Sequence, residues 1–197
     1  MGKVISNLAA SVDGFITGRD PAPGRGLGDG GVLHDWYFKG DTPSRVLEGL
    51  KLSEPSLSFV ERFASRTGAT VAGRNTYDDS NGWGGGRPHP TAPLFVVSRG
   101  PKPSGAAPAQ TFLPSLQEAL DAAQSVAGDL HVNLMGGGVL TAALDAGLVD
   151  EFIVHQVPVL LGAGRRHFRE LSAHVQLSLV EVVPAPGVTH LHYRVER

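Results

Sequence analysis

Apolar and polar positions along the chain follow two patterns, one typical of buried strands and one typical of amphipathic helices. The strand-like runs are short and apolar on consecutive positions, as in a sheet that is covered on both faces. They cover residues 4–17, 70–73, 94–98, 131–135 and 152–159. Helical spacing of apolar residues connects several of them, over 53–68, 115–128 and 140–147. The alternation predicts an α/β domain whose mixed, mostly parallel central sheet is flanked by helices.

The C-terminal segment has a different pattern. Residues 175–183 and 188–195 look like two strands joined around Pro184 and Gly187, which predicts a closing antiparallel hairpin. A chain of 197 residues fits one domain, so we expect residues 1–197 to form a single unit with its own core and one cleft.

The most informative stretch is residues 131–162, which read as a strand, a glycine turn, a helix and a second strand. Glycines between a strand and the first turn of a helix let backbone N–H groups approach an anion, whose charge the helix N-terminus favours. A tight turn that needs positive φ would explain one or two glycines, but Gly136 to Gly138 are three in a row. The dinucleotide fingerprint of Rossmann folds is absent, since Thr141 stands where its third glycine belongs.

Two other strand ends carry similar chemistry. Gly73-Arg74 follows the run at 70–73, and Ser98-Arg99 closes the run at 94–98. Because ligands of open α/β sheets bind beyond the carboxyl ends of the strands, all three sites are expected at one edge. This convergence predicts an extended ligand with more than one phosphate group. We also predict that Gly137 is needed for backbone approach to that ligand, and that a Cβ there would leave the fold largely intact.

An acidic residue, Asp35, lies inside an aromatic cluster between His34 and residues 36–38. Desolvation by aromatic rings would raise the pKa of this carboxyl, as in a proton donor; a helix N-cap or an exposed acid is the alternative. The preceding loop, residues 18–31, contains six glycines and two prolines, and we interpret it either as a lid over the cleft or as a mobile surface loop.

Composition excludes several classes of function. The net charge of −2 arises from interspersed charges and gives no sign of nucleic-acid binding. No apolar stretch is long enough to span a bilayer, and the N-terminus does not resemble a signal peptide, so we expect a cytoplasmic protein. The absence of cysteine excludes thiol catalysis and cysteine-ligated zinc.

His190 and His192 share one face of a strand that we expect at the sheet edge, but they have no acidic partner at ligand spacing; we predict no metal site. His155 is interpreted as a hydrogen-bonded core residue.

Three blocks of sequence resemble the dihydrofolate reductase-like superfamily, and more closely the reductase domain of bacterial riboflavin biosynthesis. They are LAASVDG at 8–14, TVAGRNTYD at 70–78 and the glycine unit at 134–162. They occur in the family's order and span nearly the whole chain. The resemblance implies a three-layer dihydrofolate reductase-like fold and NADPH as the cofactor.

The same resemblance implies the residues at the cofactor. These are Leu8, Ala9, Ile16, Gly73, Arg74, Thr76, Ser98, Arg99, Met135, Gly136, Gly137, Gly138, Val139 and Leu140. The arginine and hydroxyl side chains among them would surround the adenosine phosphates, whereas Leu8, Ala9 and Ile16 would flank the nicotinamide. Asn7, Trp36 and Gln156 are expected at the substrate. Asp35 is the approximate match to the acid that dihydrofolate reductases carry near the start of their first long helix.

Two departures separate the chain from the riboflavin reductases. Asn7 replaces a lysine of the family, and Met135 replaces a glutamate before the glycines. We therefore expect little activity on the riboflavin-pathway pyrimidine. The function predicted is hydride transfer from NADPH to a small heterocyclic or carbonyl substrate. The alternatives are a dihydrofolate or pyrimidine reductase of the same fold and a non-catalytic nucleotide-binding protein. The expected binding partner is a small-molecule substrate, and a homodimer is left open. We expect no binding to nucleic acid or to a membrane.

Overall fold

The computed structural model describes residues 2–196, and its central feature is an eight-stranded sheet. The strands are β1 Val4–Ser11, β2 Thr42–Pro43, β3 Lys51–Leu52, β4 Thr67–Gly73, β5 Leu94–Val97, β6 Gln110–Leu113, β7 His131–Met135, β8 Glu151–Val157, β9 Leu177–Ala185 and β10 Val188–Val195. The helices are α1 Glu54–Ala64, α2 Arg74–Asp79, α3 Leu116–Ala127 and α4 Gly137–Asp145, with 3-10 segments at Gly28–Tyr37 and Asn81–Gly85.

The sheet has the order β6-β5-β4-β7-β1-β8-β10-β9, while β2 and β3 pair separately. The six strands from β6 to β8 are parallel to their neighbours. The last two strands form an antiparallel hairpin, and β10 pairs antiparallel with β8. The mixed, mostly parallel sheet and the closing hairpin are thus confirmed.

Helices cover both faces of the sheet, as two consecutive residues of β1 show. Val4 packs in a cluster with the buried residues of α3 and α4, whereas Ile5 packs with Phe59 and Phe63 of α1. Successive strand residues point to opposite faces, so α1 lies on one face and α3 with α4 on the other. We refer below to the α1 face and the α4 face.

Local sequence signals explain where the helices begin. Ser115 accepts a hydrogen bond from the backbone N–H of Glu118 at 3.2 Å and donates one to its carboxylate at 2.8 Å, so a capping box of these two residues starts α3. Gly128 follows that helix with φ of +59°. Ser53 precedes α1, but its hydroxyl contacts Ser56 Oγ rather than a backbone N–H.

Several boundaries differ from the predicted ones. Gly68 lies inside β4 instead of ending α1, and β1 stops at Ser11, before the Asp-Gly turn. β6 was not predicted, because it follows a proline-rich segment and has only four residues. The strand with His190 and His192 is not an edge strand: β10 lies between β8 and β9, and this is why both histidines are buried.

Candidate functional site

A cavity of about 460 Å³ opens where β4, β5 and β7 end. These strands are parallel neighbours in the sheet, so their carboxyl ends meet at one edge. Nine of the residues predicted at the cofactor line this cavity: Ile16, Gly73, Arg74, Thr76, Arg99, Gly136, Gly137, Gly138 and Val139. The predicted convergence of phosphate-binding chemistry at one edge of the sheet is therefore present in the geometry.

Two of the three glycines provide room next to this cavity. Gly136 has φ of +107°, and a Cβ on it would overlap the hydroxyl of Thr76, so this position requires glycine. A Cβ on Gly138 would lie 3.1 Å from the guanidinium of Arg169, the mobile end of an exposed side chain. An added Cβ at Gly138 thus meets a side chain of the cavity and not the backbone.

Gly137 has a structural role that was not predicted, and its predicted approach to a ligand stays a prediction. A Cβ at this position would overlap the backbone carbonyl oxygen of Arg166 and lie 2.6 Å from that of His167. The missing side chain makes room for the chain's own loop, which packs on the first turn of α4. The expectation that Gly137 tolerates a Cβ without effect on the fold is therefore wrong.

Arg74 is held in place by three partners at the edge of the cavity. Its Nε donates to both carboxylate oxygens of Asp78 at 2.9 Å, and its Nη1 donates to Ser98 Oγ and to the carbonyl of Pro101, both at 3.2 Å. Ser98 is buried, and it does not line the cavity itself. The Ser98 hydroxyl instead orients Arg74 through the hydrogen bond that it accepts from Nη1. Arg99, the other predicted arginine, is exposed. A fixed guanidinium is well suited to bind phosphate.

Three further arginines line the same cavity, and sequence reasoning missed them. Arg165, Arg166 and Arg169 come from the segment after β8, to which the sequence assigned no role in the site. Arg165 pairs with Asp79 at 3.0 Å; burial raises the pKa of this carboxyl, and Arg165 opposes that effect. The guanidinium of Arg169 has no hydrogen bond or ion pair among residues 2–196. The spacing RRHFR was the available signal, but only the fold brings it to the glycines.

A second, smaller cavity of about 120 Å³ lies on the α1 face. Asn7 of β1, Met135 of β7 and His155 of β8 line it, together with Asn133 and Thr70. Asn133 Oδ1 and Thr70 Oγ1 are buried and have no hydrogen-bond partner within the described part of the chain. Since buried polar atoms are normally satisfied, these two favour a polar ligand or water in this cavity.

Asp35 lies outside this small cavity. It belongs to the 3-10 segment Gly28–Tyr37, whereas the first α-helix is Glu54–Ala64, so the match to the acid of the first long helix is wrong. Its carboxylate is 46% exposed and pairs with Lys39 at 2.6 Å. The aromatic run does not desolvate it, because Phe38 is exposed and Trp36 points into the core. Asp35 and Trp36 instead line a third cavity of about 400 Å³.

Five of the predicted site residues line none of the three cavities, and Ser98, described above, is one of them. Leu140 is fully buried in the core of the α4 face. Gln156 follows His155 on β8 and so points to the opposite face from Asn7. Leu8 and Ala9 lie on the central strand directly after Asn7, and their predicted contact with the nicotinamide stays a prediction.

Comparison with known proteins places the chain in a family. The family model of the RibD C-terminal domain matches residues 2–191. The chain belongs to the RibD C-terminal domain family. None of the curated proteins matches it in sequence.

Solved structures show the fold of this RibD C-terminal domain in other proteins. A protein of Shewanella sp. PV-4 assigned to riboflavin biosynthesis is 24% identical, with 99% of both chains covered and a TM-score of 0.72. RibD of Acinetobacter baumannii is 17% identical with a TM-score of 0.61; the match covers all of this chain and 59% of RibD. Dihydrofolate reductase of Enterococcus faecalis, in complex with NADP(H), is 15% identical with a TM-score of 0.58, and 100% and 98% of the two chains are covered.

These comparisons confirm the recognised family and the dihydrofolate reductase-like fold, and they support a reductase of this fold. Within residues 2–196, every helix is too short or too polar to cross a membrane. The RibD C-terminal domain thus presents one arginine-rich cavity at the strand ends of its sheet and one small polar cavity on the α1 face.

Proposed function

We propose that the chain is an NADPH-dependent reductase that transfers a hydride to a C=N or C=O bond of a small heterocyclic or carbonyl substrate. The observation that carries this proposal is the cavity at the ends of β4, β5 and β7. It combines the first turn of α4 with five arginines, whereas a purely structural turn would need neither. The residues present therefore fit a dinucleotide with several phosphate groups.

The arrangement of the cavity suggests how the cofactor would be held. The backbone N–H groups at the start of α4 would bind the pyrophosphate, since the helix N-terminus favours negative charge. Arg74, oriented by Ser98, and Arg99 would bind the adenosine phosphates. Ile16 lines the cavity beside the central strand, where we place the nicotinamide against Leu8 and Ala9. NADPH supplies the hydride, and the chain binds and orients both reactants.

The substrate would bind on the α1 face, in and above the small cavity. Asn7 directly precedes Leu8, and Met135 directly precedes the first glycine of the larger cavity, so we place the substrate next to the proposed nicotinamide site. Asn133 Oδ1 and Thr70 Oγ1, which find no hydrogen-bond partner within residues 2–196, are available to a ring nitrogen or carbonyl of the substrate. Trp36 and Gln156 are not part of this proposed site.

The arginines also predict the choice of cofactor. A charge-assisted contact to the 2′-phosphate contributes about 1.5–3 kcal/mol, so we expect NADPH to bind roughly 10- to 150-fold more tightly than NADH. Arg74→Ala and Arg99→Ala should weaken NADPH binding more than NADH binding. Titration of intrinsic fluorescence or calorimetry measures these affinities directly.

Arg45→Ala is the matched control, because Arg45 is exposed and does not line the cavity. It should bind both nucleotides like the native protein. Equal affinity of the native protein for NADPH and NADH would contradict the assignment. NADPH oxidation with a panel of heterocyclic and carbonyl substrates then separates a reductase from a nucleotide-binding protein, which would saturate without consuming NADPH.

A further inference from the structure

A chain of hydrogen bonds crosses the core between α1 and the sheet. Ser56 Oγ lies 2.9 Å from Nε2 of His190, and Nδ1 of His190 lies 2.6 Å from Nδ1 of His155. His155 Nε2 in turn contacts Asn7 Oδ1. Both imidazoles are at most 1% exposed, and Ser56 is equally buried. The hydroxyl of Ser53 extends the chain, 3.2 Å from Ser56 Oγ.

The amide orientation of Asn7 sets the direction of every bond in this chain. Asn7 Oδ1 only accepts, so His155 must carry its proton on Nε2 and accept at Nδ1. His190 must then donate from Nδ1, which makes its Nε2 the acceptor for the hydroxyl of Ser56. If the amide of Asn7 turns over and donates its NH₂ group, every bond reverses and all groups are again satisfied. The chain therefore has two consistent states that differ by one proton shift at each imidazole.

The two ends of the chain reach different cavities. Ser53 is half-buried and lines the 400 Å³ cavity that also contains Asp35 and Lys39, two partly exposed charged groups. Asn7 and His155 line the 120 Å³ cavity. The hydrogen-bonded chain thus connects a cavity with access to solvent to the small polar cavity.

The surroundings keep both imidazoles neutral. Trp36 packs 5.0 Å from His155 and 5.1 Å from His190 between ring centroids, and Phe59 stacks on His190 at 4.8 Å. Burial lowers the pKa of His155 well below its usual value, and the neighbouring His190 adds to the effect. Burial also lowers the pKa of His190 to about 4.

Few charged groups face the pair from the elements around it. His34 of the 3-10 segment and His167 of the segment after β8 lower the pKa of His155 further, whereas Glu181 of β9 raises that of His190. Tyr37 and His89 face the small cavity, and burial raises the pKa of Tyr37 to about 12. The neutral pair therefore persists through the physiological range of pH.

We propose that Ser53, Ser56, His190 and His155 form a proton relay that delivers the proton of the reduction to the substrate in the small cavity. His155 is the catalytic residue of this relay, because it lines the small cavity whereas His190 and Ser56 do not. His190 and Ser56 act through it. The inference rests on the proposed function and adds the source of the proton. It replaces Asp35 in that role with a neutral group that the fold encloses.

The reduction balances as follows. The hydride adds to the carbon of the C=N or C=O bond, whose π electrons move to the nitrogen or oxygen. That atom takes the Nε2 proton of His155, while His155 takes the Nδ1 proton of His190 and His190 takes the hydroxyl proton of Ser56. Ser56 is reprotonated through Ser53 from solvent. Each imidazole ends neutral in its other tautomer, which Asn7 binds equally well by turning its amide.

The first test reads the relay in the native protein without a substrate. With ¹⁵N-labelled histidine, NMR should show His155 and His190 neutral at pH 7, with opposite tautomers. Substitution of Asn7 by Asp should lock His155 as the Nε2–H form, since a carboxylate only accepts. In the native protein, a charged imidazole, or the same tautomer at both positions, would overturn the relay.

The second test measures turnover on a substrate that the native protein reduces. His155→Gln keeps a hydrogen-bonding group but cannot pass a proton, and it should lower kcat by roughly 10²-fold or more with unchanged NADPH affinity. Ser56→Ala should lower kcat by a smaller factor and convert a curved proton inventory in mixed H₂O and D₂O into a linear one. Ser58→Ala, at an exposed position of the same helix, is the control and should behave like the native enzyme.

The outcomes separate the two proposals. A native protein that neither binds nor oxidises NADPH contradicts the proposed function and, with it, the delivery of a proton to a substrate. The tautomers then decide only whether the hydrogen-bonded chain itself is ordered as described. If the native enzyme turns over and His155→Gln retains its kcat, the relay is wrong and the proposed function stands. The same conclusion follows if the proton inventory of Ser56→Ala equals that of the native enzyme.

Discussion

Gly137 and Gly138 lie next to each other at the start of α4, but an added methyl group would meet different neighbours at the two positions. The effects of the two alanine substitutions are therefore expected to differ, and this difference can be measured. Gly137→Ala places a Cβ against the carbonyl oxygens of Arg166 and His167, which are backbone atoms of a packed loop and cannot rotate away. Gly138→Ala places a Cβ 3.1 Å from the guanidinium of Arg169, which can move into solvent. The two substitutions are chemically identical and adjacent, so each is the control for the other.

The magnitudes follow from these contacts. Overpacking of a well-packed site costs about 1–3 kcal/mol, and for a domain of this size each kcal/mol lowers Tm by about 2–4 °C. Gly137→Ala should therefore lower Tm by roughly 2–12 °C. Alanine is favoured over glycine by up to about 1 kcal/mol within a helix, so Gly138→Ala should be neutral or slightly stabilising. Its Cβ and the displaced Arg169 should instead weaken NADPH binding by roughly tenfold or more, the equivalent of one charge-assisted hydrogen bond.

Thermal unfolding and NADPH titration of the two variants test this reasoning, with Gly105→Ala as a reference. An added Cβ at Gly105 meets nothing within 4 Å, so this variant should match the native protein in both measurements. A Gly137→Ala protein with the native Tm would refute the collision with the loop. A Gly138→Ala protein with native affinity for NADPH would refute the close approach of phosphate to this turn.

Two further predictions concern titratable groups. Burial lowers the pKa values of His167 and His190 to about 4 in the folded protein, while unfolded imidazoles titrate near 6.5, so the unfolded state binds more protons in between. The free energy of unfolding should have its full value above about pH 6.5 and should decrease between pH 6.5 and 4, by roughly 3 kcal/mol for each histidine. Urea unfolding at several pH values measures this decrease, and a flat profile from pH 7 to 4 would contradict it. Asp35→Asn removes the ion pair with Lys39 from a half-exposed carboxyl, so we expect kcat to fall by less than tenfold in a turnover assay. A loss of 10²-fold or more would restore Asp35 as the proton donor that the sequence alone predicts.

The elements that sequence reasoning identified correctly are those with local signals. The capping box of Ser115 and Glu118 fixes the start of α3, and the apolar run at β7 needs only burial on both faces. Boundaries were missed where a neighbour in space decides them. Glycine is the residue type expected just after a helix, but Gly68 lies within β4 because its neighbours Thr67 and Ala69 pair with β7. β6 is too short to be recognised, and it exists because β5 offers an unpaired edge.

The candidate site shows the same division between local and distant information. The glycine turn and the two strand ends with arginine were recognisable, because each is a short segment with its own chemistry. Arg165 and Arg169 were missed, since nothing near them in sequence indicates that they return to α4. Asp35 was misjudged for the opposite reason: its aromatic neighbours in sequence do not surround it in space. His155 was correctly interpreted as a hydrogen-bonded core residue, whereas its connection to His190 required the register of β8 with β10.

The central position of β1 has a consequence for how the protein is made. The ribosome synthesises β1 before any other strand, but its two neighbours, β7 and β8, come last among the parallel strands; Asn7 and His155 are 148 residues apart. At about 5–20 residues per second, this separation corresponds to roughly 7–30 s of translation. Until β7 is made, this apolar strand has no partner on either side, and until β8 is made it lacks a partner on one side. The sheet therefore cannot close on the nascent chain in the order of synthesis. Folding of this domain must therefore wait until β8 has left the exit tunnel, and β1 is the segment that a chaperone would have to protect until then.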